Sequence, residues 1–149
     1  MRIYLATDHA GFNLKQALIL YLKELGHDVH DSGPAQLVAG DDYPPIIAEA
    51  ARRVSAEPDA RAIILGGSGQ GEAIVANRFP HVRAAVYYGG PLDIIRLSRE
   101  HNDANILSLG ARFLSESEAK DAVRTWLETP FSGEERHVRR IAQIDDLRA

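Results

Sequence analysis

The chain has 149 residues, of which 45% are apolar and 26% are charged, ordinary values for one globular domain with its own core. Its formal charge of -4 provides no general positive field for nucleic acid or an anionic membrane. The absence of cysteine excludes disulfides, thiolate metal sites and a cysteine nucleophile. The first apolar run is too short for a signal peptide, and no segment approaches the roughly 20 apolar residues of a membrane span. We therefore expect a single domain over residues 1–149, located in the cytoplasm.

Short apolar runs and helical patterns alternate along the chain. The predicted strands cover residues 3–6, 27–30, 62–65, 82–87 and 106–109. Helical periodicity covers residues 14–25, a segment after Tyr43, and residues 119–127, the last opened by Ser115 and Glu118 in capping-box spacing. This alternation predicts an α/β fold of three layers, Rossmann-like, with a parallel sheet of about five strands and helices on both faces.

Polar residues follow several of the predicted strands. Asp8 and His9 follow the first strand, residues 66–72 follow the third in chain order, and Arg112 follows the last. Ligands in such sheets bind beyond the carboxyl ends of the strands, so we expect these groups at one edge. His101 and Asn102 precede the last strand, and their proximity to that edge stays open.

A glycine-rich loop, residues 66–71, joins the third strand to a helix. Its glycines let backbone amides turn toward one concave spot that can bind an anion. A dinucleotide motif would require glycine where Glu72 stands, and a purely structural turn is the other alternative. Glu72 itself could complement the helix dipole, an effect of about 0.3 to 1 kcal/mol. It could also serve as a general base if burial raised its pKa.

Two short segments carry side chains with either structural or chemical uses. Asp8 could cap a helix or bind a sugar hydroxyl, and His9 could be a surface residue or a ligand donor. His101 could complement a helix dipole or act as the acid and base that open a sugar ring. Asn102 beside it could donate a hydrogen bond to a developing oxyanion.

Two arginines of the C-terminal segment are spaced four residues apart. On a helix, Arg136 and Arg140 share one face, which suits a phosphate between their guanidinium groups. The alternative is that Glu134, Glu135 or solvent neutralises them. The six histidines show no close metal-type spacing, so we expect no metal site.

Several motifs, in order, resemble the ribose-5-phosphate isomerase B family, and the related galactose-6-phosphate isomerase subunits share much of the pattern. The resemblance runs from Arg2 to about Ile144. It rests on residues 8–11, 42–44, 67–72, 76–77, 99–102 and 136–140.

The resemblance implies an aldose-ketose isomerase that interconverts D-ribose 5-phosphate and D-ribulose 5-phosphate through a cis-enediolate. It implies no metal and no organic cofactor. In one branch of the family the base is a cysteine at the position of Gly66, whereas this sequence resembles the branch whose base is a glutamate, here Glu72. It also implies a homodimer or tetramer with shared active sites, the C-terminal tail (about 134–148) reaching the partner subunit.

The resemblance further assigns roles to individual residues. Ser68 moves protons between O1 and O2 of the substrate, and His101, helped by Asp8, opens the furanose ring. Asn102 steadies the enediolate oxygen, and Tyr43 lines the pocket. The other substrate-binding residues are the loop residues Gly67, Gly69, Gln70 and Gly71 at the enediolate, and His9, Arg112, Arg136 and Arg140 at the phosphate.

Two loops, residues 35–40 and 87–91, depart from the best-known members of the family. Both lie near the expected substrate pocket, so an isomerase of allose 6-phosphate or galactose 6-phosphate is an alternative. Two further alternatives are a non-catalytic module that binds a sugar phosphate or nucleotide, and an idle subunit that needs a different partner chain.

Overall fold

A computed structural model describes residues 1–147 as a five-stranded, fully parallel sheet with the strand order β2-β1-β3-β5-β4. The strands are β1 (Arg2–Thr7), β2 (Asp28–Asp31), β3 (Arg61–Gly66), β4 (Ala84–Tyr87) and β5 (Ile106–Gly110). The helices are α1 (Phe12–Glu24), α2 (Tyr43–Ala56), α3 (Gln70–Ala76), α4 (Asp93–Glu100), α5 (Glu116–Glu128) and α6 (Glu135–Asp146), with a 3-10 turn at His9–Gly11. The predicted α/β fold is confirmed.

Local signals set most of the element boundaries. Ser115 accepts a hydrogen bond from the backbone N–H of Glu118, whose carboxylate accepts one in return, so α5 begins with the predicted capping box. β4 begins two residues later than predicted, because Val82 donates its N–H to the carbonyl of Phe79 in a turn. Strand propensity alone does not show at which residue such a turn ends and the strand begins.

The two faces of the sheet bury different kinds of side chain. The face covered by α1, α4 and α5 is built mainly of large residues, with two alanines among its 16 buried members. The face covered by α2 and α3 has six alanines among 12. Because strand residues alternate between faces, Ile63 and Leu65 point to the first layer and Ile64 to the second.

The strand order creates a crevice at the carboxyl edge of the sheet. β1 lies between β2 and β3, so the chain leaves β1 toward one side of the sheet and leaves β3 toward the other. Ligands bind at such switch points in parallel α/β sheets. Asp8 follows β1 and Gly67 follows β3, which places both at this crevice.

The last helix lies at the opposite, amino edge. Ser132, just before α6, donates its N–H to the carbonyl of Glu100 at the end of α4. Farther along α6, the Asp145 carboxylate lies 3.5 Å from the ring of His81, which precedes β4. The predicted tail extended to residue 148, which lies outside the described residues. Within residues 1–147 no helix is both long and apolar enough to cross a membrane.

Candidate active site

Glu72 lies in the first turn of α3 with only 4% of its surface exposed. Desolvation by burial raises the pKa of its carboxyl group, and the nearby charge of Asp8 raises it further, against a bond from its own backbone N–H that lowers it. Burial therefore outweighs the stabilisation of the anion at the helix N-terminus. This balance is what a general base for carbon acids requires.

The Glu72 carboxylate occupies the space directly over Gly66. A Cβ at position 66 would lie 2.5 Å from Oε2 of Glu72 and closer still to Oε1. Real Cβ atoms do not approach other atoms so closely. The absence of a side chain at residue 66 is therefore a condition for the observed position of the carboxylate.

The end of β5 fixes the shape of the glycine-rich loop. Gly69 has a φ of 77°, a conformation that glycine adopts without strain, and a Cβ there would lie 2.9 Å from the backbone of Leu109. Three loop carbonyls accept hydrogen bonds from β5 or the turn after it: Gly66 from the N–H of Ala111 (2.8 Å), Gly67 from the N–H of Arg112 (3.1 Å) and Gly69 from the Ser108 hydroxyl (2.6 Å). The carbonyls of these residues are thus turned toward β5.

Two predicted side chains line this loop, and a third belongs to it. Tyr43 packs with its phenol ring against Gly71, where an added Cβ would lie 2.7 Å from Cζ. The guanidinium of Arg112 lies over Gly67, where an added Cβ would lie 3.2 Å from Nη1 of Arg112. The Ser68 hydroxyl accepts a hydrogen bond from the N–H of Gln70 at 3.3 Å.

Asp8 and His9 form a cluster with Asp41, a residue that the sequence did not single out. Asp8 caps the turn by accepting the N–H of Ala10 at 2.9 Å, so its structural interpretation is correct, yet it also lies at the crevice. Asp41 accepts bonds from both the backbone N–H and the ring Nδ1 of His9. Asp41 stands two residues before Tyr43, but periodicity does not reveal which side chain a loop residue meets.

The same three side chains are the group that a metal ion could use within the described residues. One ligand atom from each of Asp8, His9 and Asp41 lies within 4.8 Å of the others. However, Oδ1 of Asp41 already accepts two hydrogen bonds. That oxygen is therefore organised around the histidine, while Oδ2 of Asp41 is buried and has no hydrogen-bond partner among the described residues.

His101 and Asn102 lie at the amino edge of the sheet. Arg83, directly before β4, donates to the carbonyl of Asn102 at 2.8 Å. The ring of His101 stacks on His137 of α6 with centroids 4.3 Å apart. His137 is buried, and its pKa is lowered by desolvation and by the nearby charges of His101, Arg136 and Arg140, against an opposing contribution from Glu134.

The two C-terminal arginines differ in their surroundings. Arg136 donates to the carboxylate of Glu134 at 2.8 Å, as the neutralised alternative expected. Arg140 is exposed and forms no ion pair among residues 1–147. Both lie on the helix that reaches the amino edge.

One chain therefore divides the predicted site into two halves. Asp8, His9, Tyr43, Arg112 and the loop that leads to Glu72 lie at the carboxyl edge, whereas His101, Asn102, Arg136 and Arg140 lie at the amino edge. A five-residue strand such as β5 separates the edges by roughly 17 Å. A single copy does not bring the halves together.

Known proteins resemble this chain over nearly its whole length. The sequence model of the Ribose/Galactose Isomerase family matches residues 3–144. The chain belongs to this family. The ribose-5-phosphate isomerase B of Mycolicibacterium paratuberculosis is 44% identical over 141 residues, which cover 95% of this chain and 87% of that protein.

Solved structures agree with the sequence match. The crystal structure of ribose-5-phosphate isomerase B from Mycoplasma genitalium with bound ribulose-5-phosphate has a TM-score of 0.92 and 35% identity, covering 97% of this chain and 94% of that one. The enzyme from Clostridium thermocellum has a TM-score of 0.92 and 40% identity, covering 99% and 97%. The predicted family and enzyme class, an aldose-ketose isomerase of the ribose-5-phosphate isomerase B type, are confirmed.

Proposed function

We propose that the protein interconverts D-ribose 5-phosphate and D-ribulose 5-phosphate through a cis-enediolate, with Glu72 as the base that moves a proton between C2 and C1. One observation carries this proposal. The Glu72 carboxylate is buried at the switch-point crevice, where desolvation raises its pKa toward neutrality. A base so placed accepts a proton from carbon more readily than an ordinary glutamate.

The enediolate oxygens need donors as well as a base. The loop carbonyls point toward β5, so the amides of Gly69 and Gly71 at the start of α3 suit developing negative charge. The amide of Gln70 can join them once it releases the Ser68 hydroxyl. Ser68 has a hydroxyl that can exchange protons between O1 and O2. A base and an anion hole typically contribute about 10² to 10⁴ and 10² to 10³ in rate, so both are required.

The substrate phosphate would bind between cations of two copies of the chain. In this arrangement His9 and Arg112 of one copy face Arg136 and Arg140 of the other. Guanidinium groups bind phosphate oxygens in pairs. The end of α4 of the partner copy would also bring His101 to open the sugar ring and Asn102 to steady the enediolate.

The surface along β4 supports such a pairing. β4 is an edge strand, and the groove between it and α3 runs from Gln70 near the loop to Asn77, with exposed Ile74 on its wall. A second groove continues from Asn77 to Asn102 and Ile144. Two copies packed antiparallel along this face would bring each amino-edge half against the other's carboxyl-edge half, as a homodimer or as half of a tetramer.

The first test is isomerisation of ribose 5-phosphate by the purified protein in the presence of a chelator. Allose 6-phosphate and galactose 6-phosphate are assayed in parallel, and Glu72→Gln is compared with wild type. Turnover of ribose 5-phosphate by wild type, with at least a roughly hundredfold loss in the variant while phosphate-sugar binding persists, supports the proposal. Binding without turnover of any of the three would refute it in favour of a sensing role.

A complementation experiment tests the shared site. Glu72→Gln and His101→Ala are inactive by this reasoning, yet their heterodimer contains one site with both native residues. Random mixing makes half of the dimers heterodimers, so about a quarter of the wild-type activity should return. No recovery from a mixture shown by mass to contain heterodimers would place both residues in the same subunit's site.

A further inference from the structure

The carboxylate of Asp41 holds His9 in one orientation. Its Oδ1 atom accepts the backbone N–H of His9 at 2.9 Å and faces the ring Nδ1 at 2.8 Å. Asp8 is the other carboxylate near that nitrogen, and its Oδ2 lies 4.0 Å away. The Nδ1 edge of the imidazole is therefore occupied by the protein.

This contact determines which ring nitrogen is free. An oxygen of a carboxylate can only accept, so the Nδ1 atom that faces it carries the proton. In the neutral ring Nε2 is then the nitrogen without a proton, and in the charged ring it is the second donor. About a third of the His9 side chain is exposed, which leaves the Nε2 edge available to a ligand in the crevice.

The loop that carries Asp41 is anchored at its start. The fully buried Lys15 donates to the Asp31 carboxylate at 2.6 Å and to the carbonyl of Pro34 at 2.7 Å. Thr7 at the end of β1 donates its N–H to the carbonyl of Gly33 at 3.1 Å. The path from β2 to Asp41 is thus tied to the strand that presents His9.

We propose that Asp41 is a positioning residue, which fixes the Nδ1-protonated form and the ring orientation of His9 so that Nε2 faces the substrate phosphate. The inference rests on the proposed function, because it assigns the use of that nitrogen. Partners that orient metal-binding histidines typically contribute about 10- to 100-fold to metal affinity or activity, and we expect the lower end of this range where the histidine binds a phosphate. The hydrogen bonds of Asp41 go to His9 and not to Glu72, so its contribution lies in binding rather than in proton transfer.

The test compares Asp41→Ala and Asp41→Asn with the matched control Asp42→Ala, an exposed neighbour whose side chain makes no capping bond. Asparagine retains an acceptor oxygen for both donors of His9, whereas alanine retains none. Asp41→Ala should raise KM for ribose 5-phosphate about tenfold and leave kcat within about threefold. Asp41→Asn should stay within about threefold of wild type in both constants, as should the control.

A second readout does not depend on turnover. Nitrogen-15 correlation spectra of the histidine rings at about pH 8.5, where imidazole is neutral, should show a proton on Nδ1 of His9 in wild type and a mixture of forms in Asp41→Ala. An unchanged ring form and unchanged KM in Asp41→Ala would overturn the inference. A fall in kcat at constant KM would also overturn it. If wild type converts no sugar phosphate but shows the expected ring form, the proposed function fails while the orienting contact stands.

Discussion

Adding one methyl group at position 66 tests whether the position of the Glu72 carboxylate determines the rate. Gly66 is not among the residues with positive φ, so alanine fits its backbone. The new Cβ would lie 2.5 Å or less from the Glu72 carboxylate oxygens, where ordinary contact begins at 3.4 Å. The carboxylate must therefore retreat by about 1 Å or more.

The expected effect is large on activity and small on stability. A misplacement of about 1 Å in a reacting group can cost on the order of 100-fold in rate, which corresponds to about 2.7 kcal/mol of transition-state stabilisation. The atoms that must move belong to the end of a flexible side chain, so the free energy of unfolding should change by less than about 1 kcal/mol.

The assay is kcat for ribose 5-phosphate isomerisation beside a urea denaturation curve. In a Glu72→Gln background the same Gly66→Ala change should add almost no further loss, because the group that it displaces no longer transfers protons. The pair Gly66→Cys with Glu72→Ala should recover measurable activity, since shortening residue 72 vacates the space for a thiol. A Gly66→Ala enzyme with kcat within threefold of wild type would refute the reasoning.

Three further predictions follow from buried charged or titratable groups. Because the pKa of Glu72 is raised in the folded state, its ionisation destabilises the fold as the pH rises above the ordinary pKa of a glutamate. The stability of Glu72→Gln relative to wild type should therefore be greater at pH 8 than at pH 4.5. An equal stability difference at both pH values in urea denaturation would contradict this. Because the pKa of His137 is lowered, wild type should lose stability as pH falls below about 6.5, and His137→Phe, which keeps a stacking ring, should lose less over the same range in thermal denaturation. Lys15→Met should lower the free energy of unfolding, measured by urea denaturation, by about 2 to 4 kcal/mol. This is somewhat less than the loss from breaking a fully buried ion pair, because about a third of the Asp31 side chain is exposed. A loss below about 1 kcal/mol would show that the ion pair contributes little.

The fold could be predicted from the sequence because its signals are local. Apolar runs such as residues 62–65 and the capping box at Ser115 each depend on a few neighbouring side chains, and their alternation determines the fold class. The glycine-rich loop and Glu72 were also predictable, since the loop directly follows a strand. Each of these features is read from consecutive residues.

The rest of the candidate site depends on contacts between distant segments. Asp41 meets His9 across 32 positions, and His137 stacks on His101 although β5 and α5 separate the two residues in the chain. The sequence also did not show which residues of the predicted site lie at the carboxyl edge of the sheet and which lie at the amino edge. That division follows from the direction of α4, which leads from the carboxyl edge to the amino edge.

The unequal layers of the core set different limits on sequence change. On the face of α1 and α5, large aliphatic residues can exchange for others of similar volume at modest cost. On the face of α2 and α3, alanines such as Ala62 and Ala76 let the helices lie close to the sheet, and any larger residue would push α3 outward. Since α3 carries the proposed base, a substitution in this layer that moves α3 would also move the Glu72 carboxylate away from β3. Sequence change is therefore restricted here even at positions that do not contact a substrate.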